Sequence, residues 1–226
     1  MSMLSTAARL LLHIPCFLLY AYAVWFGLGF VTGKMLPIPN QPLSRFLWLT
    51  EIDLYLQMVY HFWGIFASLS GPSRTFHLFA RTISGPCGAL VVILFWGLFL
   101  FDPKTLFPDK EKELELLKET LFNNTIHTLP LISAVLDLAV WNHGTPSRKI
   151  ALTWVGTFVG LYLIELHIVN HYLNVWPYPI LGMLNFPQRL GFFGAVFVVL
   201  FICYTFLSFI HNAVHVSAIK LKTKTK

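Results

Sequence analysis

Charged residues are scarce in this chain. Asp, Glu, Lys and Arg make up 12% of its 226 residues, whereas hydrophobic residues make up 56%. About a quarter of the residues in an ordinary soluble domain are charged, so the composition excludes that class of protein. The chain also lacks internal repeats and, apart from the tail KLKTKTK, low-complexity segments. These absences favour a single domain over residues 1–226 that lies in a membrane.

Cysteine is also rare, with three residues in the whole chain: Cys16, Cys87 and Cys203. Each lies in or beside a hydrophobic run, and an odd number without a pair in the loops argues against a disulfide framework. They are expected to pack as small apolar side chains. The formal net charge of +6 comes largely from residues that flank hydrophobic runs. Anionic lipid headgroups are the expected partner of these residues, and no nucleic acid is needed.

Long hydrophobic runs are what the chain does have. A helix needs about 20 apolar residues to cross a bilayer, and on that basis we predict an all-α, multi-pass transmembrane helical bundle of about six spans. The predicted spans are residues 8–32, 46–69, 83–101, 124–142, 150–172 and 190–214. The turn NHGTPSRK between the fourth and fifth spans is short, so these two are expected to form an antiparallel hairpin.

The distribution of basic residues predicts the orientation. With both termini on one side, nine Lys and Arg residues lie on that side and seven on the other, four of the seven beside acidic residues. Basic residues favour the cytosolic side, so both termini are predicted to be cytosolic. The first hydrophobic block is too long for a signal peptide and is interpreted as an uncleaved span. The sequence leaves the endoplasmic reticulum and the plasma membrane as alternative locations.

The loop after the third span is predicted to contain an amphipathic helix. Asp109 is suited to cap it, and Leu114, Leu117 and Leu121 share one face. Such a helix is expected to lie on the membrane surface. It is either a solvated connector or a lid that controls lipid access.

Two polar residues suggest a chemistry. Thr50 and His127 each lie about one turn inside a hydrophobic span, and because the second and fourth spans run in the same direction, both fall in one layer near the non-cytosolic face. Polar groups at such a depth are usually functional, and a hydroxyl with an imidazole suggests a nucleophile and its base. The alternatives are a threonine that bonds the carbonyl of Phe46 and a histidine that joins two helices.

Five further polar residues are predicted to lie in or near that layer: Asp53, Glu165, Asn123, Asn124 and Asn170. Asp53 or Glu165 is expected to orient His127, and the asparagine amides are candidates to stabilise an oxyanion. Asp137 follows His127 by ten residues and is expected about 15 Å deeper, which makes it a poor partner for that histidine.

A metal centre is the rival interpretation. His167 with His171, and His211 with His215, have the HxxxH spacing that places two imidazoles on one helix face. The two pairs are predicted at opposite membrane faces, about 30 Å apart, so they are not expected to share a metal. A zinc ion bound by His127, His167 and His171 is the remaining metal alternative. Because the two HxxxH pairs are not expected to share a metal, the prediction is that the protein has no metal or other cofactor.

Five segments carry a resemblance to a known family: WLTEIDLYLQ, LFWGLFLFDPKTLFP, NNTIHTLPL, TPSRKIALT and NVWPYPIL. In this order and at these separations, the chain resembles the androgen-induced protein and androgen-dependent TFPI-regulating protein family over nearly its whole length. The resemblance implies a multi-pass membrane hydrolase of fatty acid esters of hydroxy fatty acids, with Thr50 as the nucleophile and His127 as the base.

The chain departs from the family pattern at one position. Relatives tend to carry Asn-His before the motif histidine, where this chain has Asn123 and Asn124. The pairing of Thr50 with His127 is unaffected. The alternative function is non-enzymatic: a multi-pass membrane protein that binds a lipid or regulates a partner through the same layer.

Overall fold

The protein is described by a computed structural model that covers residues 3–107, 110–144 and 146–224. These residues form helices and contain no strand, so the predicted all-α class is confirmed. The helices are α1 (Met3–Phe30), α2 (Leu49–Ser70), α3 (Arg74–Phe79), α4 (Gly85–Phe101), α5 (Lys110–Lys118), α6 (Thr120–His127), α7 (Leu129–Val140), α8 (Arg148–Leu173), α9 (Pro179–Met183) and α10 (Phe186–Lys224). A π-helical segment, Ala80–Ser84, joins α3 to α4.

Four helical stretches within the described residues are long and apolar enough to cross a membrane. They are Ser5–Phe30, Arg74–Phe101, Lys149–Leu173 and Phe186–His215, and they coincide with the first, third, fifth and sixth predicted spans. Helix α2 and the pair α6 and α7 occupy the positions of the other two predicted spans. A total of six crossings therefore stays a prediction.

The fourth predicted span is not one continuous helix. The backbone departs from helical geometry at Thr128, with φ −133° and ψ −46° between α6 and α7. In a continuous helix the ring of Pro130 would clash with the carbonyl of Ile126, so the chain breaks before the proline. The Trp96 indole N–H donates to the His127 carbonyl at 2.8 Å and to the Thr128 hydroxyl at 3.1 Å, which stabilises the break. As a result, His127 is the last residue of α6.

The amphipathic loop helix is also shorter than predicted. It ends at Lys118, because Glu119 has φ −82° and ψ 63°, and Leu121 belongs to α6. The predicted cap, Asp109, lies outside the described residues. Leu116 packs against the apolar cluster formed by α1, α2 and α6, so α5 is fastened to the bundle.

Apolar clusters hold the described helices together. One joins α1, α2 and α6 around Tyr20, Leu54 and Phe122, and another joins α4, α8 and α10 around Leu90 and Leu166. Two smaller clusters include residues of α3 and α7. The burial of apolar side chains within these clusters holds the helices in position relative to one another.

Helix α4 also approaches α2 and α7 closely. A Cβ atom at Gly88 would lie 2.8 Å from the Gln57 amide nitrogen and 2.9 Å from the Pro130 Cβ, so only glycine permits this approach. Helix α4 thereby packs closely against both α2 and α7.

Candidate active site

A cavity of about 320 Å³ lies where α1, α4 and α8 end and where α2 and α10 begin. Its lining is mostly apolar, with side chains such as Val91, Val159 and Val196. Thr50 and His127 both line it, so the structure brings these two residues to one cavity. That they share one layer of the membrane stays a prediction. The cavity thus combines a hydroxyl and an imidazole with room for apolar chains.

His127 is held firmly at the end of α6. Its side chain is buried, and its Nδ1 lies 2.7 Å from the Oδ1 of Asn123, one helical turn earlier. On one face the imidazole stacks on the ring of Phe95, with a centroid distance of 3.4 Å and an interplanar angle of 5°. Both contacts restrict rotation of the ring, so a single orientation is favoured.

Thr50 is the second residue of α2, and it therefore lies in the first turn rather than one turn inside the helix as predicted. The hydroxyl of Tyr178 lies near both its backbone N–H and its side chain. The preceding N–H, from Leu49, donates to the hydroxyls of Tyr178 at 2.8 Å and of Tyr162 at 3.1 Å. Two tyrosine hydroxyls thus gather around the N–H groups that begin α2.

Desolvation raises the pKa of Tyr178 above its usual value, so its hydroxyl stays protonated at neutral pH. The loop that carries it is anchored, because the Trp48 indole N–H donates to the Pro177 carbonyl at 3.0 Å. Neither tyrosine was singled out in the sequence. The only signal for Tyr178 was its position in NVWPYPIL, one of the segments that carry the family resemblance.

Glu51 is expected from the sequence in the same layer as Thr50, but it is not among the predicted supporting residues. It is buried beside Thr50 and lines the cavity, near the guanidinium of Arg45. Arg45 itself donates to the carbonyls of Gly27 at 2.9 Å and Val31 at 3.0 Å, which fastens it to the end of α1. No lysine or arginine of the described residues lines the cavity.

Of the five supporting residues predicted from the sequence, the structure brings Asn123 to His127. The predicted role of Asn123 was an amide donor for an oxyanion, whereas its Oδ1 instead contacts the histidine ring. The neighbouring Asn124 is exposed, donates from its amide nitrogen to the Thr120 carbonyl at 3.0 Å and accepts from the Thr128 hydroxyl at 3.0 Å. Residues adjacent in sequence therefore face in different directions.

The remaining three supporting residues lie elsewhere. Asp53 is fully buried, accepts from the Gln57 amide at 2.9 Å and does not line the cavity. Glu165 is exposed on α8, and Asn170 is half-buried near the end of the same helix. None of these three lines the cavity, so the structure does not place Asp53 or Glu165 where either would orient His127.

A second buried polar cluster surrounds Asp137. Its Oδ2 accepts from the hydroxyl of Tyr60 at 2.7 Å and lies 2.6 Å from the Nε2 of His143, while His13 lies 3.6 Å from its Oδ1. His13 in turn lies 3.0 Å from His61, between their Nδ1 atoms. As predicted, Asp137 is not the partner of His127. No sequence pattern indicates this cluster, because its members come from separate helices and a loop.

Three of the four histidines in the two HxxxH pairs contact polar groups of the protein itself. His167 lies 2.8 Å from the Leu163 carbonyl. His211 lies 3.1 Å from the Asn142 side chain, and His215 lies 2.8 Å from the Leu138 carbonyl, next to Asp137. Within the described ranges, no three His, Cys, Asp or Glu side chains come close enough together to hold a metal ion.

The profile of the FAR-17a/AIG1-like protein family matches residues 8–212. The chain belongs to this family. It is an integral membrane protein, as its apolar helices indicate.

Three relatives show how far the similarity extends. The chain is 28% identical to the human androgen-induced gene 1 protein over 127 residues, 56% of this chain and 52% of that protein. It is 28% identical to the mouse androgen-dependent TFPI-regulating protein over 131 residues, 57% of this chain and 55% of that protein. A UPF0641 membrane protein of Schizosaccharomyces pombe is 23% identical over 175 residues, 74% of this chain and 75% of that protein. The chain thus spans about half the length of the first two relatives, and no solved structure matches it.

Proposed function

We propose that this protein is a membrane hydrolase of lipid esters, with Thr50 as the nucleophile and His127 as the general base. The observation that carries the proposal is that both residues line one apolar cavity at the end of the bundle. The family resemblance supplies the substrate class, fatty acid esters of hydroxy fatty acids.

The reaction is a transfer of the acyl group in two steps. His127 accepts the proton of the Thr50 hydroxyl as the oxygen attacks the ester carbonyl carbon. When the tetrahedral intermediate collapses, the ester C–O bond breaks and the imidazolium returns the proton to the leaving hydroxy fatty acid. Water then attacks the acyl-threonine with His127 again as the base, which releases the fatty acid and restores the hydroxyl.

Tyr178 supports the stabilisation of the oxyanion. Its hydroxyl lies near Thr50 and accepts from the N–H of Leu49, the first residue of α2, at 2.8 Å. Donors placed where negative charge develops lower the barrier of acyl transfer. The first turn of α2 thus supplies the nucleophile next to the groups suited to stabilise the intermediate.

The charges of the cavity favour one arrangement of the substrate. Glu51 is the charged residue among the described lining residues, and the cavity offers no cationic partner for a carboxylate. Burial of an unpaired carboxylate is unfavourable. The apolar chains of the ester therefore occupy the cavity, while the free carboxylate of the substrate stays at the membrane surface.

Matched substitutions test the proposal in purified protein. Thr50→Ala and His127→Ala should each lower hydrolysis of a fatty acid ester of a hydroxy fatty acid by at least about 100-fold, and Thr50→Ala should abolish labelling by a fluorophosphonate probe. Thr205→Ala and His211→Ala are the controls, because Thr205 is exposed on α10 and His211 contacts Asn142 at the opposite end.

The controls should keep wild-type hydrolysis and labelling, and a chelator should have no effect. Full hydrolysis by Thr50→Ala would refute the threonine nucleophile. A wild-type protein that retains lipid during purification but neither hydrolyses the ester nor reacts with the probe would support the non-enzymatic alternative.

A further inference from the structure

We infer that Asn123 is the positioning residue of His127, so that the site operates as a threonine, histidine and asparagine triad. The inference rests on the proposed function, because it assigns how the base of that reaction is prepared. It also replaces the carboxylate that the sequence led us to expect in this role.

The contact between the two side chains determines the tautomer. Asn123 and His127 lie one turn apart on α6, both are buried, and the Asn123 Oδ1 lies 2.7 Å from the His127 Nδ1. A carbonyl oxygen only accepts hydrogen bonds, so Nδ1 must carry the ring proton. The lone pair of the neutral ring is then on Nε2, the nitrogen left to accept the proton of Thr50.

The neighbouring helix fixes the ring plane. Phe95 stacks on the imidazole, and the next residue of α4, Trp96, donates from its indole N–H to the His127 carbonyl at 2.8 Å. Side chain and backbone of the histidine are therefore both held by α4. A stacking contact leaves the ring free to rotate within its own plane. The hydrogen bond to Asn123 restricts that rotation.

A neutral partner suits these surroundings. Asn123 is 3% exposed, so a carboxylate at this position would bury a formal charge, which is unfavourable unless it is paired. The amide orients the neutral ring without adding a charge. The imidazolium that forms during turnover is then stabilised by a dipole only, which favours the prompt return of the proton to the leaving group.

The experiment compares Asn123→Ala with Asn124→Ala. Asn124 is the matched control, since it is the next residue of α6 and is exposed. Asn123→Ala should lower kcat by about 100-fold because the ring loses its orientation, while KM changes by less than about twofold. Asn124→Ala should match the wild type in both constants.

Asn123→Asp provides a readout that a purely structural role would not change. The aspartate still accepts from Nδ1, so it should restore part of kcat relative to Asn123→Ala. Its charge stabilises the imidazolium, so the pH at which hydrolysis reaches half its maximum should rise relative to the wild type. An unchanged pH profile together with no rescue would overturn the inference, as would a wild-type kcat for Asn123→Ala.

The outcomes also separate this inference from the proposed function. If Thr50→Ala and His127→Ala are inactive while Asn123→Ala keeps its kcat, only the role of Asn123 is refuted. If Thr50→Ala keeps full hydrolysis, the proposed function fails, and the triad fails with it.

Discussion

Asp137 is expected to be the most important single side chain for stability at the end of the bundle opposite the cavity. In Asp137→Ala, the buried hydroxyl of Tyr60 and the Nε2 of His143 both lose the oxygen they contact at 2.7 and 2.6 Å. Hydrogen bonds to a charged group contribute about 1.5–3 kcal/mol each. The substitution should therefore lower the free energy of unfolding by about 3–6 kcal/mol.

For a chain of this size, each kcal/mol corresponds to about 2–4 °C in Tm, so Asp137→Ala should unfold about 6–24 °C earlier. The measurement is thermal unfolding in detergent, followed by the fluorescence of the seven tryptophans. Asp137→Asn keeps one acceptor oxygen and a similar volume, so its loss should be smaller. Tyr60→Phe should account for about 1.5–3 kcal/mol of the effect.

The same variants separate stability from catalysis. Asp137 does not line the cavity of Thr50 and His127, so folded Asp137→Asn should hydrolyse ester at the wild-type rate per molecule at low temperature. An unchanged Tm for Asp137→Ala would refute the reasoning on stability. Loss of hydrolysis in protein that is demonstrably folded would refute the separation of the two ends.

Two further predictions concern packing and topology. A Cβ at Gly64 would overlap the buried ring of His13, so Gly64→Ala should destabilise the protein by about 1–3 kcal/mol in the same unfolding assay. A Cβ at Gly97 would meet nothing within 4 Å, so Gly97→Ala should stabilise the protein by about 0.5–1 kcal/mol. Glu115 and Lys149 are exposed on either side of α6 and α7 in the chain. If these two helices together cross the membrane, Glu115→Cys and Lys149→Cys, each in a background without native cysteines, should react with an impermeant thiol reagent from opposite sides. Glu115→Cys should react from the non-cytosolic side. Labelling of both from one side would mean that this segment does not cross.

The positions of the helices could be predicted because they follow from local composition. Each predicted span coincides with a helix or a pair of helices. The alternation of their directions predicts one layer for Thr50 and His127, and the two residues line one cavity. The break at Thr128 was not predicted, because the largely apolar residues on both sides of Pro130 together have the length of one span. The π-helical segment Ala80–Ser84 has no comparable sequence signal.

The partners within the site depend on contacts between distant residues. Tyr162 and Tyr178 reach Leu49 across separations of 113 and 129 residues, and hydrophobic periodicity carries no information about such contacts. Asn123 was assigned to the right region but to another role, because the spacing of four residues shows a shared helix face and not which atoms meet. The same limit explains why Asp53, one turn from Thr50, was expected to orient a histidine that it does not contact.

Phe95 belongs to two parts of the site at once. Its ring forms part of the cavity wall and also stacks on the imidazole of His127. Under the proposed mechanism, a substitution here that enlarges or reduces the space for an acyl chain also changes the support of the imidazole that accepts the proton. Selection on chain length and selection on turnover would then act on the same side chain. We expect substrate preference to diverge through wall positions on other helices, such as Val159 and Val196, while an aromatic ring at position 95 is retained.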